Sequence, residues 1–362
     1  MEYDIVRMQF RRPLHLGQES ESVEATEQMC HSDTLFSAIC HSWLRLYGHD
    51  SLEEMLNTFW EAGEEDIDPP FCLSSAFPFI KSGDDYTYYL PKPQIPPSGV
   101  DIAHERYEEV AEDMKSLDDA DWINKRFFED WIAVDKKPTS MEDALTSLEV
   151  HFKKLEDELQ RKDEFMGNSV RPRVALDPVS SESRLFFFGS VVFRKGSGLY
   201  FLVKWKKAER EKWEGRLRGA MELLGDIGLG GERSSGYGGF RPKWGTLDIK
   251  LPEETTNGLI TLSLWYPNSV DINQGIELGR YTLIPRAGWA SSPRLRKAYR
   301  RKVVAMFAEG SSVKCGETSL FSRTKINGCL VDVTPDDIIR DNGHRIYKYG
   351  FAFTLRAKIP EP

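Results

Sequence analysis

Six glycines fall within the thirteen residues Gly228–Phe240, between a helix-patterned stretch and a strand-patterned one. No other segment restricts the fold as much. Residues 207–227 place Trp213, Leu217, Met221, Leu224 and Ile227 at three- and four-residue steps, the period of an amphipathic helix. Trp244 to Ile249 reads as a strand. Glycine accepts positive φ and has no Cβ, so a loop joining the two can turn sharply and let a ligand approach its backbone. Successive exposed N–H groups form an anion-binding concavity. Arg233 adds a planar cation, Ser234 and Ser235 add hydroxyls, and Tyr237 adds an aromatic face. A phosphate chain suits this combination. The plainer alternative is a helix C-cap with a flexible turn, but a cap needs only one glycine.

Spacing excludes the common nucleotide loops. A Walker loop needs Lys-Ser or Lys-Thr after its glycines, and no glycine here is followed by either pair. A dinucleotide fingerprint starting at Gly228 or Gly236 needs glycine at 233 or 241, and both positions are arginine. Both motifs also follow a strand and open a helix, whereas this loop follows a helix.

The net charge of −9 in 362 residues argues against nucleic acid, yet its distribution is uneven. Asp101 to Glu164 holds 20 acidic and 10 basic residues, more than the whole excess. Arg286 to Lys302 holds seven basic residues and no acidic one. Screening confines each field to about 10 Å, so a basic face can bind phosphate while an acidic lobe lies elsewhere. No apolar run approaches the ~20 residues of a membrane span, and the first residues lack the order of a signal peptide. Five cysteines (Cys30, Cys40, Cys72, Cys315, Cys329) without C-x-x-C spacing predict reduced thiols in a cytoplasm.

The pattern predicts an α+β chain. Residues 3–11 alternate as a strand. Ser32 is the expected N-cap of a helix with Leu35, Phe36, Ile39, Cys40, Trp43 and Leu44 on its apolar face, followed by a short helix at about Leu52–Trp60. Strand and proline-rich loop occupy 71–97. The acidic stretch 101–165 reads as a helical insertion packed through Trp122, Phe127, Phe128, Trp131, Leu148, Phe152, Leu155 and Leu159. Arg184–Phe193 and Leu199–Trp205 read as a hairpin across Arg-Lys-Gly-Ser-Gly. Further strands are expected at Gly258–Trp265, Arg280–Arg286 and Arg345–Lys358, and a basic helix at Arg294–Phe307. This order suggests two ferredoxin-like, RRM-like modules. The expected division is residues 1–180, with the insertion, and 181–362, carrying the glycine loop.

Four segments carry a resemblance. They are Pro13-Leu-His15-Leu-Gly17 after the first strand, His31-Ser-Asp33-Thr-Leu-Phe-Ser-Ala-Ile39, Arg171-Pro-Arg173-Val-Ala-Leu-Asp177, and the glycine loop with Arg233. Together they resemble the RAMP superfamily of CRISPR effector proteins, and within it the subunit that caps the guide RNA 5′ end in type III-A (Csm) complexes. Glu309–Ser312 and Tyr347–Phe353 fit the same pattern, and only 101–165 falls outside it. The resemblance implies two RRM-like folds and a grip on the repeat-derived 5′ tag of the guide. It also implies contact with the large polymerase-like subunit and with the adjacent RAMP backbone subunit. It implies no catalysis and no cofactor.

The candidate RNA-binding residues are His15, Gly17, His31, Arg171, Arg173, Gly228, Gly230, Gly231, Arg233, Ser234, Ser235, Gly236, Tyr237, Gly238, Gly239, Arg241 and Arg286. Arg294, Arg296, Lys297, Arg300 and Arg301 are candidates for RNA or partner contact. In the loop, Gly230, Gly231, Gly236 and Gly238 would present N–H groups, and Tyr237 would stack on a base. Arg171 and Arg173 flank Pro172, which favours extended backbone, so they can track a strand of RNA or form a solvated pair. His15, His31 and His41 admit a nuclease reading, since imidazole titrates near neutrality. His31-Ser-Asp33 also reads as a helix start. Cys30-His31 and Cys40-His41 match no zinc spacing, so no metal is expected. An adaptor without RNA contact is the remaining alternative.

Overall fold

The computed structural model describes residues 1–17, 24–65, 67–95, 120–133, 166–176, 182–252, 256–273, 277–290, 299–314, 328–340 and 344–359. Strand β1 (Glu2–Phe10) is followed by helix α1 (Ser32–Glu64) and strands β2 (Phe71–Leu73), β3 (Phe77–Ser82) and β4 (Asp85–Pro91). Within the acidic stretch come β5 (Trp122–Asn124) and α2 (Lys125–Ile132). Then follow β6 (Met166–Leu176), β7 (Ser183–Phe193), β8 (Ser197–Trp205), α3 (Arg210–Ile227) and β9 (Phe240–Asp248).

One antiparallel sheet runs β5-β4-β3-β8-β1-β9, with β2 also paired to β8. Its central order β3-β8-β1-β9, with α1 after β1 and α3 between β8 and β9, is the β-α-β-β-α-β arrangement of a ferredoxin-like fold. The two helices meet through Trp43 and Trp213, whose rings lie 5.9 Å apart. The glycine loop therefore closes this first sheet and does not belong with the C-terminal module where it was expected. The sheet also crosses the expected boundary at residue 180, because β8 and β9 are the neighbours of β1.

The remaining strands are β10 (Gly258–Thr261), β11 (Glu277–Leu278), β12 (Leu283–Arg286), β13 (Trp289–Ala290), β14 (Tyr299–Arg300), β15 (Val304–Phe307), β16 (Ser312–Lys314), β17 (Leu330–Asp332), β18 (Tyr347–Tyr349) and β19 (Thr354–Ala357). They form a sheet ordered β11-β16-β10-β19 and the ribbons β12-β15, β13-β14 and β17-β18. The two parts share one core. Tyr349 and Phe351 pack against Phe59 of α1, and Tyr3 of β1 meets Phe353 at 5.5 Å.

Several sequence expectations change. His31, not Ser32, occupies the N-cap position of α1. The Ser32 hydroxyl instead accepts from the Leu264 N–H, 232 residues away. The two expected helices are joined in α1 across an interruption at Gly48, where φ is +83°. The turn Arg194–Ser197 forms, with the Ser197 N–H donating to the Arg194 carbonyl, but its strands separate. All eleven residues of β7 pair with β6, while β8, buried from Ser197 to Val203, takes a central place in the sheet. A turn signal reports the reversal of the chain, and burial of β8 on both faces decides its partners.

The basic helix expected at Arg294–Phe307 is replaced, where described, by β14 and β15, which pair with β13 and β12. Arg294, Arg296 and Lys297 lie outside the described residues. The strand expected at Arg345–Lys358 is two strands in different sheets. They break at Gly350–Phe353, all buried, where Gly350 exchanges backbone hydrogen bonds with Cys329 and Tyr266. In the acidic stretch Trp122, Phe127, Phe128 and Trp131 are buried as expected. Leu148, Phe152, Leu155 and Leu159 lie outside the described residues.

Candidate nucleic-acid interface

The glycines build the loop more than they expose it. Gly228, Gly230, Gly236 and Gly238 all have positive φ, as does Glu232 at +55°. A Cβ on Gly230 would lie 2.3 Å from the His15 carbonyl oxygen, and one on Gly238 would lie 1.9 Å from that of Leu229. Only glycine permits these approaches. The Gly231 N–H donates to the His15 carbonyl (2.9 Å) and the Gly238 N–H to that of Pro13 (2.7 Å). The Gly236 N–H donates to the Arg233 carbonyl. Three of the four expected phosphate donors are thus engaged within the fold, and two of them, Gly231 and Gly238, tie the loop to the Pro13–Gly17 segment.

Tyr237 is likewise not a free stacking surface. It is buried, edge-on to Phe188 of β7 at 5.4 Å. The Arg173 guanidinium lies 4.3 Å over Phe188 and 5.2 Å over Tyr237. It also pairs with Glu232 at 2.6 Å. Hydrogen bonds from Arg173 and then Ser235 hold the Glu232 carboxyl below its usual range. His15 is buried against Phe188, with Nδ1 2.8 Å from the Gly189 carbonyl oxygen. His15, Arg173 and Tyr237 therefore clamp the β6-β7 ribbon onto the glycine loop. Arg171, two residues from Arg173 on β6, is exposed, as is Gly17.

The outward part of the loop is Arg233, Ser234, Ser235 and Gly236, all exposed. Arg45, Ile227, Gly230, Gly231, Glu232, Arg233 and Ser234 line a cleft of about 540 Å³. Among the described residues neither Arg45 nor Arg233 has a carboxylate partner. Glu232 is the cleft's acid, and Arg173 neutralises it. Beside the cleft stands His41, one helical turn before Arg45. Burial, then the charges of Arg233, Arg301, Arg45 and His344, lower its pKa. Cations from the loop, α1 and the C-terminal part thus converge on one place. Sequence reasoning missed Arg45, although its i,i+4 relation to His41 put both on one helix face. Arg301 was expected to contact RNA or a partner and does lie toward this convergence. Arg300 of β14 is exposed, as is Arg241 of β9, while Gly239 is partly covered.

His31 and Arg286 lie elsewhere, in a buried ion cluster at the start of α1. Arg286 donates to both Asp33 carboxylate oxygens, at 2.9 and 3.1 Å, and Lys348 Nζ reaches the same group at 2.8 Å. His31 Nδ1 stands 2.9 Å from Glu309, whose carboxylate also accepts a short hydrogen bond from Ser75. Burial opposes ionisation of Asp33, but Arg286 and Lys348 reverse this and hold its carboxyl far below the carboxylate range. Burial alone would also depress His31. The Glu309 charge and the hydrogen bonds to Glu27 and Glu309 instead raise it to about 10. These charges are satisfied internally and tie α1 to the C-terminal strands.

A β-α-β-β-α-β sheet closed by a glycine loop beside a cationic cleft defines the ferredoxin-like class of fold. The profile of the RAMP superfamily matches residues 9–241, so the chain belongs to that superfamily. Residues 254–357 match the CRISPR Csm4 C-terminal domain. The CRISPR system Cms protein Csm4 of Thermococcus onnurineus (strain NA1) is 28% identical over 91% of this chain and 92% of that protein. That of Streptococcus thermophilus is 23% identical over 93% and 94%. Among solved structures, a Csm1-Csm4 cassette in complex with cA4 superposes with a TM-score of 0.58 at 22% identity, covering all of both chains. A Csm3-Csm4 subcomplex of the type III-A CRISPR-Cas interference complex gives 0.57 at 17% identity, again over all of both chains. Identities this low speak for the fold. No helix among the described residues is long and apolar enough to cross a membrane.

Proposed function

We propose that this chain is the RNA-anchoring subunit of a type III-A CRISPR interference complex and holds the repeat-derived 5′ tag of the guide RNA in the glycine-loop cleft. One observation carries the reading: two arginines without carboxylate partners among the described residues, Arg233 and Arg45, share a cleft with the backbone of the glycine loop. Arg233 and Arg45 take phosphates, and Ser234 and Ser235 donate to phosphate or ribose. His15, Arg173 and Tyr237 act by holding the loop in shape, and Arg171 extends the contact along β6. His31 and Arg286 hold α1 in place and do not touch RNA.

The subunit joins the large polymerase-like subunit to the neighbouring RAMP subunit, as relatives were solved with Csm1 and with Csm3. Its two units are RRM-like. It works without catalysis. His15 is engaged with the Gly189 carbonyl, and His31, held protonated by Glu309, is no base at neutral pH.

The test is native purification of the Arg233→Glu/Arg45→Glu variant with its partners, followed by end-sequencing of bound RNA. Both side chains are exposed, so melting should be unchanged while tagged guide is lost. Full guide occupancy with uniform 5′ ends would refute the assignment.

A further inference from the structure

We propose that the open half of the first sheet is a second platform for single-stranded RNA, centred on Arg7, Arg241 and Lys243. Strand register places Arg7 directly opposite Lys243 and Gln9 opposite Arg241. Directly opposed residues share a face, so all four side chains project from one side of the sheet. The far half of that face is covered, since Tyr3 packs on Phe353. The near half is open, with Arg241 and Lys243 exposed and Arg7 partly so.

Like charges set directly opposite each other destabilise a sheet. Among the described residues no carboxylate pairs with Arg7, Arg241 or Lys243. Tyrosines hold Arg7 instead. Its Nη1 donates to the Tyr88 hydroxyl at 2.7 Å, its guanidinium lies 4.5 Å over the Tyr86 ring, and its buried Nε has no acceptor among the described residues. Tyr86 and Tyr88 are stacked, 6.0 Å apart with 24° between planes. Gly245 makes room for this arrangement, because a Cβ there would stand 3.1 Å from Arg7 Nη2. The result is an unneutralised block of cations beside an aromatic ledge. It matches a chain of phosphates with bases attached better than an acidic protein surface, which has no use for the ledge.

Continuity points the same way. Strand β9 begins at Phe240, immediately after the glycine loop, and the Arg11 N–H donates to the Gly239 carbonyl at 2.9 Å. Arg241 is thus the first residue of β9 to face this side. Lys243 follows about 7 Å further along the strand. RNA leaving the loop meets these cations next, but the platform itself needs no tag.

The experiment titrates the full chain against a fluorescent oligouridylate without tag, at several salt concentrations. Arg241→Glu/Lys243→Glu should weaken binding about tenfold or more and flatten the salt dependence by about 1.4 in log–log slope, for two lost phosphate contacts. Arg241→Gln/Lys243→Gln should give a smaller loss of the same kind. In the natively purified complex, Arg241→Glu/Lys243→Glu should keep the uniform 5′ ends of the bound guide while the untagged strand is weakened, which separates failure of the platform from failure of the tag reading. Ultraviolet crosslinking should label the peptide carrying Tyr86. Unchanged affinity and slope in the β9 variants would overturn the proposal. So would intact RNA binding with loss of a partner subunit, which would make the face a protein contact.

Discussion

Helix α1 meets cations at two places, and the two behave in opposite ways. At its start Arg286 and Lys348 converge on Asp33, and His31 on Glu309, all paired and all buried but the half-buried Arg286. About three turns further along, Arg45 faces Arg233 across a cleft whose acid is already held by Arg173. Both regions looked like RNA contacts in the sequence, since each offers basic residues near a helix. The difference lies in the carboxylates. A cation whose acid is supplied by the fold fastens elements together, and a cation without one remains available to a polyanion.

The largest expected effect tests the fastening role. Asp33→Ala leaves Arg286 and Lys348 buried without their anion, and breaking a buried pair in this way costs about 3–5 kcal/mol. Chemical denaturation should show the loss. The same change in the cleft pair, Arg45→Ala with Arg233→Ala, should stay within about 0.5 kcal/mol per site. Equal effects at the two places would erase the distinction between them.

A second test uses pH. His31 is raised in the folded state to about 10 from 6.5. Its contribution is therefore fully present below about pH 6.5 and is lost as pH rises toward 10. Stability followed by denaturation across that window should fall, and His31→Gln should flatten the fall. Glu309 moves the other way. Burial resists its ionisation, but His31 lowers its pKa, so its contribution disappears in acid. A slope unchanged in His31→Gln would remove the pair from the fastening cluster.

The smallest expected effect separates two glycines within the loop. Gly236 has φ of +83° but nothing near its missing Cβ, so Gly236→Ala should cost only about 1–2 kcal/mol of left-handed strain. Gly230 has similar φ, and a Cβ there also collides with the His15 carbonyl, so Gly230→Ala should cost more and detach the loop from Pro13–Gly17. Thermal melting with guide occupancy reads both. Equal costs would mean that the loop does not rest on that segment.

Much of the fold was legible. The opening strand, the helical period of α3 and the need for positive φ in Gly228–Phe240 are short-range properties, and the structure has all three, although β1 is buried on both faces where one was expected. The cleft was legible in part. Arg233 and the two serines stand outward as read, but Tyr237 and the N–H groups of Gly231 and Gly238 face inward because the Pro13–Gly17 segment and β7 pack against them. Nothing in the neighbourhood of residue 237 announces Phe188. The described part of the expected basic helix, residues 299–307, forms strands, because charge carries no period. The strand pairing of Tyr299–Arg300 and Val304–Phe307 depends on β13 and β12.

By itself the sequence determined the features that arise within a few residues: where the chain turns, which faces are apolar, and where a Cβ is not tolerated. The tertiary structure alone decided which charges are neutralised. Asp33 and Arg286 are 253 residues apart, and Arg286 and Arg233 read alike until the chain has folded. An ion pair forms wherever packing leaves two side chains within reach in a low-dielectric place. That reach is set by the whole topology and is written in no single segment.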